Sequence, residues 1–193
     1  MIISSIYDFD FAVNDWIAAH LTVDWLDPIM RVITYLGDGG IFWIAVAAIL
    51  LFIPKYRKAG LSMGIALLMG LLLCNLTLKP LVARIRPYDY QLEHFGKVIP
   101  LLISAPHDFS FPSGHTIASF EAATALLLHN KKLGIPAMVL AALVAFSRLY
   151  LYVHYPTDVI TSILLGVGLA FLGTWLVKKG YGIYENRKAL NNQ

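Results

Sequence analysis

Charge is what this sequence most conspicuously lacks. Asp, Glu, Lys and Arg supply only 14% of its 193 residues, where a soluble domain carries about a quarter. Apolar types make up 58% and mean hydropathy is +0.67, so lipid is the expected solvent. The net charge of +3 is small and dispersed, which argues against a nucleic-acid partner. Cysteine is nearly absent: Cys74 stands alone, excluding an internal disulfide and a cysteine-ligated metal, and reads as a small buried apolar residue. A basic n-region is missing too, since Asp8 and Asp10 occupy the first ten residues, so no secretory signal is expected. No dense carboxylate cluster suggests magnesium, so the expectation is no cofactor and metal-independent chemistry. The length suggests one domain, residues 1–193.

Long apolar runs, by contrast, are plentiful. They extend from about Gly40 to Pro54, Gly60 to Leu81, His115 to His129, Gly134 to Val153 and Pro156 to Val177. A hydrocarbon core needs roughly 20 such residues, fewer where polar ends reach the headgroups. A chain crossing lipid must satisfy its own backbone, so each run is expected to be a helix. "GLSMG" at Gly60 to Gly64 offers the small residues that let helices approach closely. Residues 1–37 read differently. "FDFAVNDWIAAHL" alternates acids with aromatics, as an interfacial helix does. "DPIMRVITYLG" restarts a helix, with Asp27 as N-cap, Pro28 in the first turn and Arg31 placed to pair with Asp27. This piece is either a short first span or a surface segment. The expected fold is therefore all-α: a polytopic integral membrane helical bundle with five or six transmembrane helices.

If the five runs alternate in direction, Lys55, Arg57, Lys58, Lys131, Lys132, Lys178, Lys179, Arg187 and Lys188 fall on one side, and the positive-inside rule makes that side cytoplasmic. Lys79, Arg84, Arg86, Lys97 and Arg148 gather on the other, against the rule. The long 82–114 connection joins "KPLVARIRP" (Lys79 to Pro87) to "FPSGH" (Phe111 to His115), and "SRLYLYVHYPTD" (Ser147 to Asp158) lies at the same face. Taken singly, each has an ordinary explanation: lysines and arginines snorkel, Pro-Ser-Gly makes turns, and Arg148 with Asp158 can form a structural ion pair. Their coincidence on one membrane face, without a matching excess of acids, points to function.

The chemistry that fits is phosphoryl transfer. Arginine clamps tetrahedral oxyanions bidentately and lysine meets them as a point charge. "PSGH" opening a helix adds free N–H groups and the positive helix end. His154 is the candidate nucleophile, Asp158 the group that orients its ring, and His115 the general acid and then base.

These three motifs, K-x6-RP (Lys79 to Pro87), PSGH (Pro112 to His115) and SR-x5-H-x3-D (Ser147 to Asp158), resemble the signature of the type 2 phosphatidic acid phosphatases. Their superfamily also holds bacterial acid phosphatases and vanadium haloperoxidases. The resemblance covers residues 79–158 with every signature position filled. It implies that Lys79, Arg86 and Arg148 bind phosphate with Ser113 and Gly114, that His154 becomes a phosphohistidine, and that the site is extracytoplasmic. It also implies a membrane lipid phosphate or diphosphate as substrate. Undecaprenyl diphosphate comes first, with phosphatidylglycerophosphate or phosphatidate as the alternative.

Outside the signature, Arg84 is a candidate for touching a second phosphate, or else snorkels. Glu121 lies about 9 Å into its helix, where it either packs or pairs with a basic residue of a neighbouring helix. Tyr88, Tyr90, Tyr150, Tyr152 and Tyr155 fit an outer aromatic belt. His107 and Asp108 read as an ordinary loop pair, and His20, His94 and His129 as structural. Three rival functions remain. A phosphotransferase would pass the group to a second lipid. A lipid-phosphate binding or transport protein would need the cations but not the His115, His154, Asp158 set. A haloperoxidase would not need membrane spans.

Overall fold

A computed structural model describes residues 2–191, with side chains from residue 5 onward. All regular structure among them is helical. Nine α-helices follow in order: α1 (Ile2–His20), α2 (Asp27–Tyr35), α3 (Ile41–Phe52), α4 (Arg57–Gly70), α5 (Lys79–Val82), α6 (Pro87–Phe95), α7 (Gly114–His129), α8 (Lys131–Tyr150) and α9 (Pro156–Asn191). Wide π-type turns over Leu71–Leu78 carry α4 into α5 without a break, and the run stops at Ala83, whose φ of 48° is left-handed. Each apolar stretch read from the sequence is mostly helical, although Gly134 to Val153 runs three residues past the end of α8. By length and composition, three helical runs can cross a membrane: Pro54–Phe95, Lys131–Tyr150 and Pro156–Asn191. A fourth exists if Asp27–Tyr35 and Asp38–Phe52, bent by 42°, count as one span.

The short α7 is the hub, packed against α4, α8 and α9. Its Ala122, Ala123 and Ala125 are fully buried, and small side chains of this kind bring helix backbones together where lipid provides no hydrophobic drive. The same device joins α3 to α4 at Gly60, where a Cβ would stand 2.7 Å from the Ala47 carbonyl oxygen. Outside, Phe52, Leu81 and Ile41 are 85%, 77% and 70% exposed, while Glu121, Arg148, His154 and Asp158 are hidden. An apolar exterior around a polar interior suits a chain solvated by hydrocarbon.

The N-terminal helix lays one face on the protein and turns the other outward. On α1, Asp10, Asn14 and Ile17 are buried, one turn apart along a single face, while Phe9 and Trp16 point outward. The polar stripe faces protein because its partners are there: Asp10 meets Arg84 and Thr157, and the Asn14 amide donates to the His154 carbonyl at 3.2 Å. On α2 the cap position belongs to Leu26. Asp27 accepts a 2.6 Å hydrogen bond from the Tyr150 hydroxyl, and no Asp27–Arg31 ion pair forms among the described residues. The aromatic belt is likewise corrected for Tyr150, Tyr152 and Tyr155, which are all buried. The Tyr150 and Tyr152 hydroxyls bond Asp27 and Asp15, and the Tyr155 ring lies under the Arg84 guanidinium.

Candidate active site

Three chain segments supply the site, each held by local structure. At α5, the π-turns rotate Lys79 inward, leaving it 9% exposed. Arg86 precedes Pro87 in extended backbone (φ −72°, ψ 154°), as a residue before proline must. At α7, Ser113 is the N-cap: its Oγ accepts from the Thr116 N–H at 3.5 Å and contacts Thr116 Oγ1 at 2.9 Å. Between α8 and α9, residues 151–155 carry His154 in a tight turn, and Asp158 sits in the first turn of α9.

These segments enclose a cavity of about 870 Å³. Lys79, Arg86, Arg148, Gly114, His115 and His154 all line it. The two signature imidazoles therefore share one chamber. Arg86 is the hub: Nη1 donates to the Val153 carbonyl at 2.6 Å and lies 3.2 Å from His154 Nε2, while Nη2 donates to Asp108 Oδ1 at 2.5 Å. A guanidinium only donates, so Nε2 must present its lone pair and the ring proton belongs on Nδ1. That Nδ1 is 3.5 Å from Asp158 Oδ2. Arg148, 2% exposed, donates from Nη1 to Thr34 on α2, and its Nε has no partner among the described residues. A tetrahedral anion in the chamber would meet unspent N–H groups.

Electrostatics divide the site. Burial holds the His154 imidazole well below its ordinary value, and the positive charges of Arg86, Arg148 and Lys79 push the same way. Burial alone would raise the Asp108 carboxyl, yet the Lys79 ammonium and Arg86 guanidinium override it and hold it below the usual carboxylate range. The structure thus makes Asp108 an anion bridging two cations, not an ordinary loop residue.

Three sequence expectations change in detail, those for Ser113, Arg84 and Glu121. Ser113 builds the cradle instead of lining it: its hydroxyl caps α7 and its N–H is donated to Ser162 Oγ at 2.8 Å. Asp158 stands behind His154, outside the chamber. Arg84 does not line the chamber at all, because its two terminal nitrogens bind Asp158 and Asp10. Glu121 lines the chamber but finds no basic partner among the described residues; its Oε1 is unbonded. The carboxyl packs so tightly on α4 that a Cβ at Gly70 would come within 2.1 Å of Oε1. Removing a buried unsatisfied polar group recovers about 1–3 kcal/mol of desolvation, so Glu121→Met is expected to raise the thermal-unfolding midpoint in detergent. A lowered midpoint would mean that something in the cavity satisfies the carboxyl.

Asp38 escaped the sequence reading although a signal existed. It precedes the run beginning at Gly40, which the alternating topology puts on the same face as the motifs. Its Oδ1 lies 2.7 Å from His115 Nε2. Gly37 makes room for that contact: a Cβ there would stand 2.6 Å from His115 Cδ2. Asp10 and Thr34 had no sequence signal, being single polar residues far from the motifs they serve, and Asp108, four residues before the PSGH motif, carried no sign of its cation partners.

Comparison with known proteins matches this arrangement. An undecaprenyl-diphosphatase of Sulfolobus acidocaldarius is 36% identical over 139 residues, covering 72% of this chain and 65% of that protein, so the match spans just under two thirds of its length. Undecaprenyl-diphosphatase BcrC of Bacillus subtilis is 32% identical over 147 residues, 76% of this chain and 72% of that one. The crystal structure of a transmembrane PAP2 type phosphatidylglycerolphosphate phosphatase from Bacillus subtilis superposes with a TM-score of 0.69 at 30% identity, over 91% of this chain and 87% of that one. Residues 55–181, which carry every signature position and the α4–α9 core, match the PAP2 superfamily, and the chain belongs to it.

Proposed function

We propose that this chain is an integral membrane lipid phosphatase acting through a phosphohistidine, with undecaprenyl diphosphate as its substrate and undecaprenyl phosphate as its product. The observation that carries the reading is the shared chamber: two imidazoles and three cations surround one space. That space continues between α3 and α4 past Ile44, Ile65, Leu61 and Leu51, an apolar path suited to a hydrocarbon chain. The relatives named for undecaprenyl diphosphate support this substrate. A glycerolipid phosphate is the second reading, favoured by the likeness to the Bacillus subtilis phosphatidylglycerolphosphate phosphatase.

In the proposed reaction, the terminal phosphoryl group displaces the Asp108 carboxylate and is gripped by Lys79, Arg86, Arg148 and the N-terminal N–H groups of α7. The Nε2 lone pair of His154 attacks phosphorus, and Asp158 stabilises the positive charge that forms on the ring. The P–O bond to the leaving phosphate breaks, its electron pair stays on oxygen, and His115, entering the step as the imidazolium held by Asp38, supplies the proton and becomes neutral. Water, deprotonated by His115, then attacks the phosphohistidine and frees inorganic phosphate. All of residues 1–193 serve as one phosphatase domain with five or six spans, and 79–158 carry the signature. The site faces the extracytoplasmic side of the cell membrane, a reading supported by the basic residues at the opposite ends of the helices.

Phosphate release from undecaprenyl diphosphate, phosphatidylglycerophosphate, phosphatidate and a short-chain diphosphate tests the proposal on purified protein. Release is expected to be fastest from undecaprenyl diphosphate, to persist in chelator and to fall with vanadate, which mimics pentacoordinate phosphorus. No release from any lipid would overturn it, and release only when an acceptor lipid is present would replace hydrolysis by transfer. The pH profile has a definite sign. An unperturbed histidine would protonate below pH 6.5, but His154 stays neutral there, so the acid limb of kcat/KM that reports it belongs well below that value. Folding is linked in the same direction. The unfolded chain takes up a proton that buried His154 refuses, so this contribution to stability is full above pH 6.5 and is lost as pH falls toward the depressed folded value.

A further inference from the structure

Arg84 is the cation that the phosphate chamber leaves unused. It lies within K-x6-RP, yet it points away from the chamber into a closed network with α1. Nη1 donates to Asp158 Oδ1 at 2.5 Å and to Thr157 Oγ1 at 2.9 Å, and Nη2 donates to Asp10 Oδ2 at 2.6 Å. Asp10 is fully buried. Its Oδ1 accepts the Thr157 N–H at 2.9 Å and its Oδ2 the Thr157 hydroxyl at 2.7 Å. The guanidinium also lies 3.8 Å over the Tyr155 ring and 4.9 Å from that of Tyr7, both apolar faces that favour a flat cation. Every element touching this group is thus either an acid, a hydroxyl or an aromatic ring.

The consequence falls on Asp158. Its Oδ2 takes the Ser110 hydroxyl at 2.5 Å and the Tyr155 N–H at 3.1 Å, and faces His154 Nδ1 at 3.5 Å. A carboxylate can rotate about its terminal torsion and exchange its oxygens. Here Arg84 pins Oδ1, which leaves Oδ2 directed at the ring. Charge points the same way: Asp10 and Asp158 against one guanidinium leave this buried set one negative charge in excess. The imidazolium formed when His154 takes phosphorus would neutralise it, and a buried charge set is favourable only when so paired. Asn14, one turn beyond Asp10 on α1, holds the His154 carbonyl as well.

We propose that Arg84 and Asp10 are positioning residues: together they lock Asp158 so that His154 keeps its proton on Nδ1 and aims Nε2 at phosphorus. The N-terminal helix α1 is therefore part of the reaction centre although it contributes nothing to the phosphate grip. The inference rests on the phosphohistidine reading above and adds to it a role for residues outside the three motifs.

The test uses Asp10→Asn and Arg84→Lys in the full chain, purified in detergent. It measures kcat and KM on undecaprenyl diphosphate and on a lipid monophosphate, phosphoenzyme formation, and vanadate affinity. The expected result is a fall in kcat and in phosphoenzyme formation of about 10- to 100-fold, the scale of outer partners that orient a functional histidine. KM for both lipids and vanadate affinity should stay within about twofold, because the cations of the chamber are untouched. Thr157→Val, which removes a single hydroxyl from the network, should lower kcat in the same pattern by a smaller factor. Unchanged kcat overturns the proposal. So does a rise in KM confined to the diphosphate, which would put Arg84 on a second phosphate. Loss of vanadate binding in all three variants would also overturn it, by showing general damage to the site. His154→Ala run alongside separates the two layers: phosphate release without His154 sinks the phosphohistidine reading, whereas an active parent with indifferent Asp10 and Arg84 variants sinks only this one.

Discussion

His154→Ala is expected to reduce phosphate release by about 10⁴-fold or more, the scale of removing a nucleophile from groups that act as a unit. The reason is geometric. Nε2 of His154 faces the chamber unprotonated, because the Arg86 guanidinium 3.2 Å away can only donate to it, and a phosphate that takes up that donor leaves the lone pair free to attack. No other described imidazole combines that exposure to the cations with a carboxylate at its far nitrogen. His115 also lines the chamber, but its Nε2 is engaged by Asp38, so it is placed for proton traffic and not for attack. Brief incubation with labelled substrate, acid-labile counting and digestion should find the label on a peptide containing His154 in the parent and none in the variant. Label that survives in His154→Ala would transfer the nucleophilic role elsewhere and undo the proposed sequence of bonds.

The second large effect is expected at Arg86. Arg86→Lys keeps one positive charge but loses the fork that bonds Val153, Asp108 and the His154 ring together. A lysine ammonium cannot reproduce a planar bidentate grip on phosphate while also ordering the turn that carries His154. Losing one preorganised donor to a developing oxyanion costs about 10²–10³ in kcat, and kcat/KM on undecaprenyl diphosphate should fall by at least that factor. Vanadate should bind more weakly in parallel, because it uses the same donors. Equal vanadate affinity in parent and variant would show that Arg86 orders the turn without touching the anion. The contrast with Arg84 is deliberate. Arg84 and Arg86, two positions apart, face opposite ways, Arg86 into the chamber and Arg84 toward Asp158 behind the His154 ring.

Much of the machinery could be read from the chain. Lys79, Arg86, Gly114, His115, Arg148 and His154 line one chamber as their motifs suggested, because short motifs carry their own backbone geometry. A proline fixes the residue before it, and a serine caps the helix that follows it. The helices were legible for a similar reason, since continuous apolar runs leave a backbone in lipid no other way to satisfy itself. The number of crossings was less legible. α7 is only 16 residues long and is shielded by neighbouring helices, so its place in the bundle depends on packing and not on its own length.

What the sequence determined by itself was the family, an apolar helical chain, and the cations and imidazoles that share one chamber. Tertiary structure alone decided the wiring. It turned the polar face of α1 inward, set Asp108 across Lys79 and Arg86, tied His115 to Asp38, and sent Arg84 to Asp10 and Asp158. These contacts join residues far apart along the chain, and a single charged side chain has no periodicity that names its distant partner. Helical runs follow from local bonding and solvent, whereas the pairing of isolated charges is chosen only when the whole bundle closes and each must find an opposite.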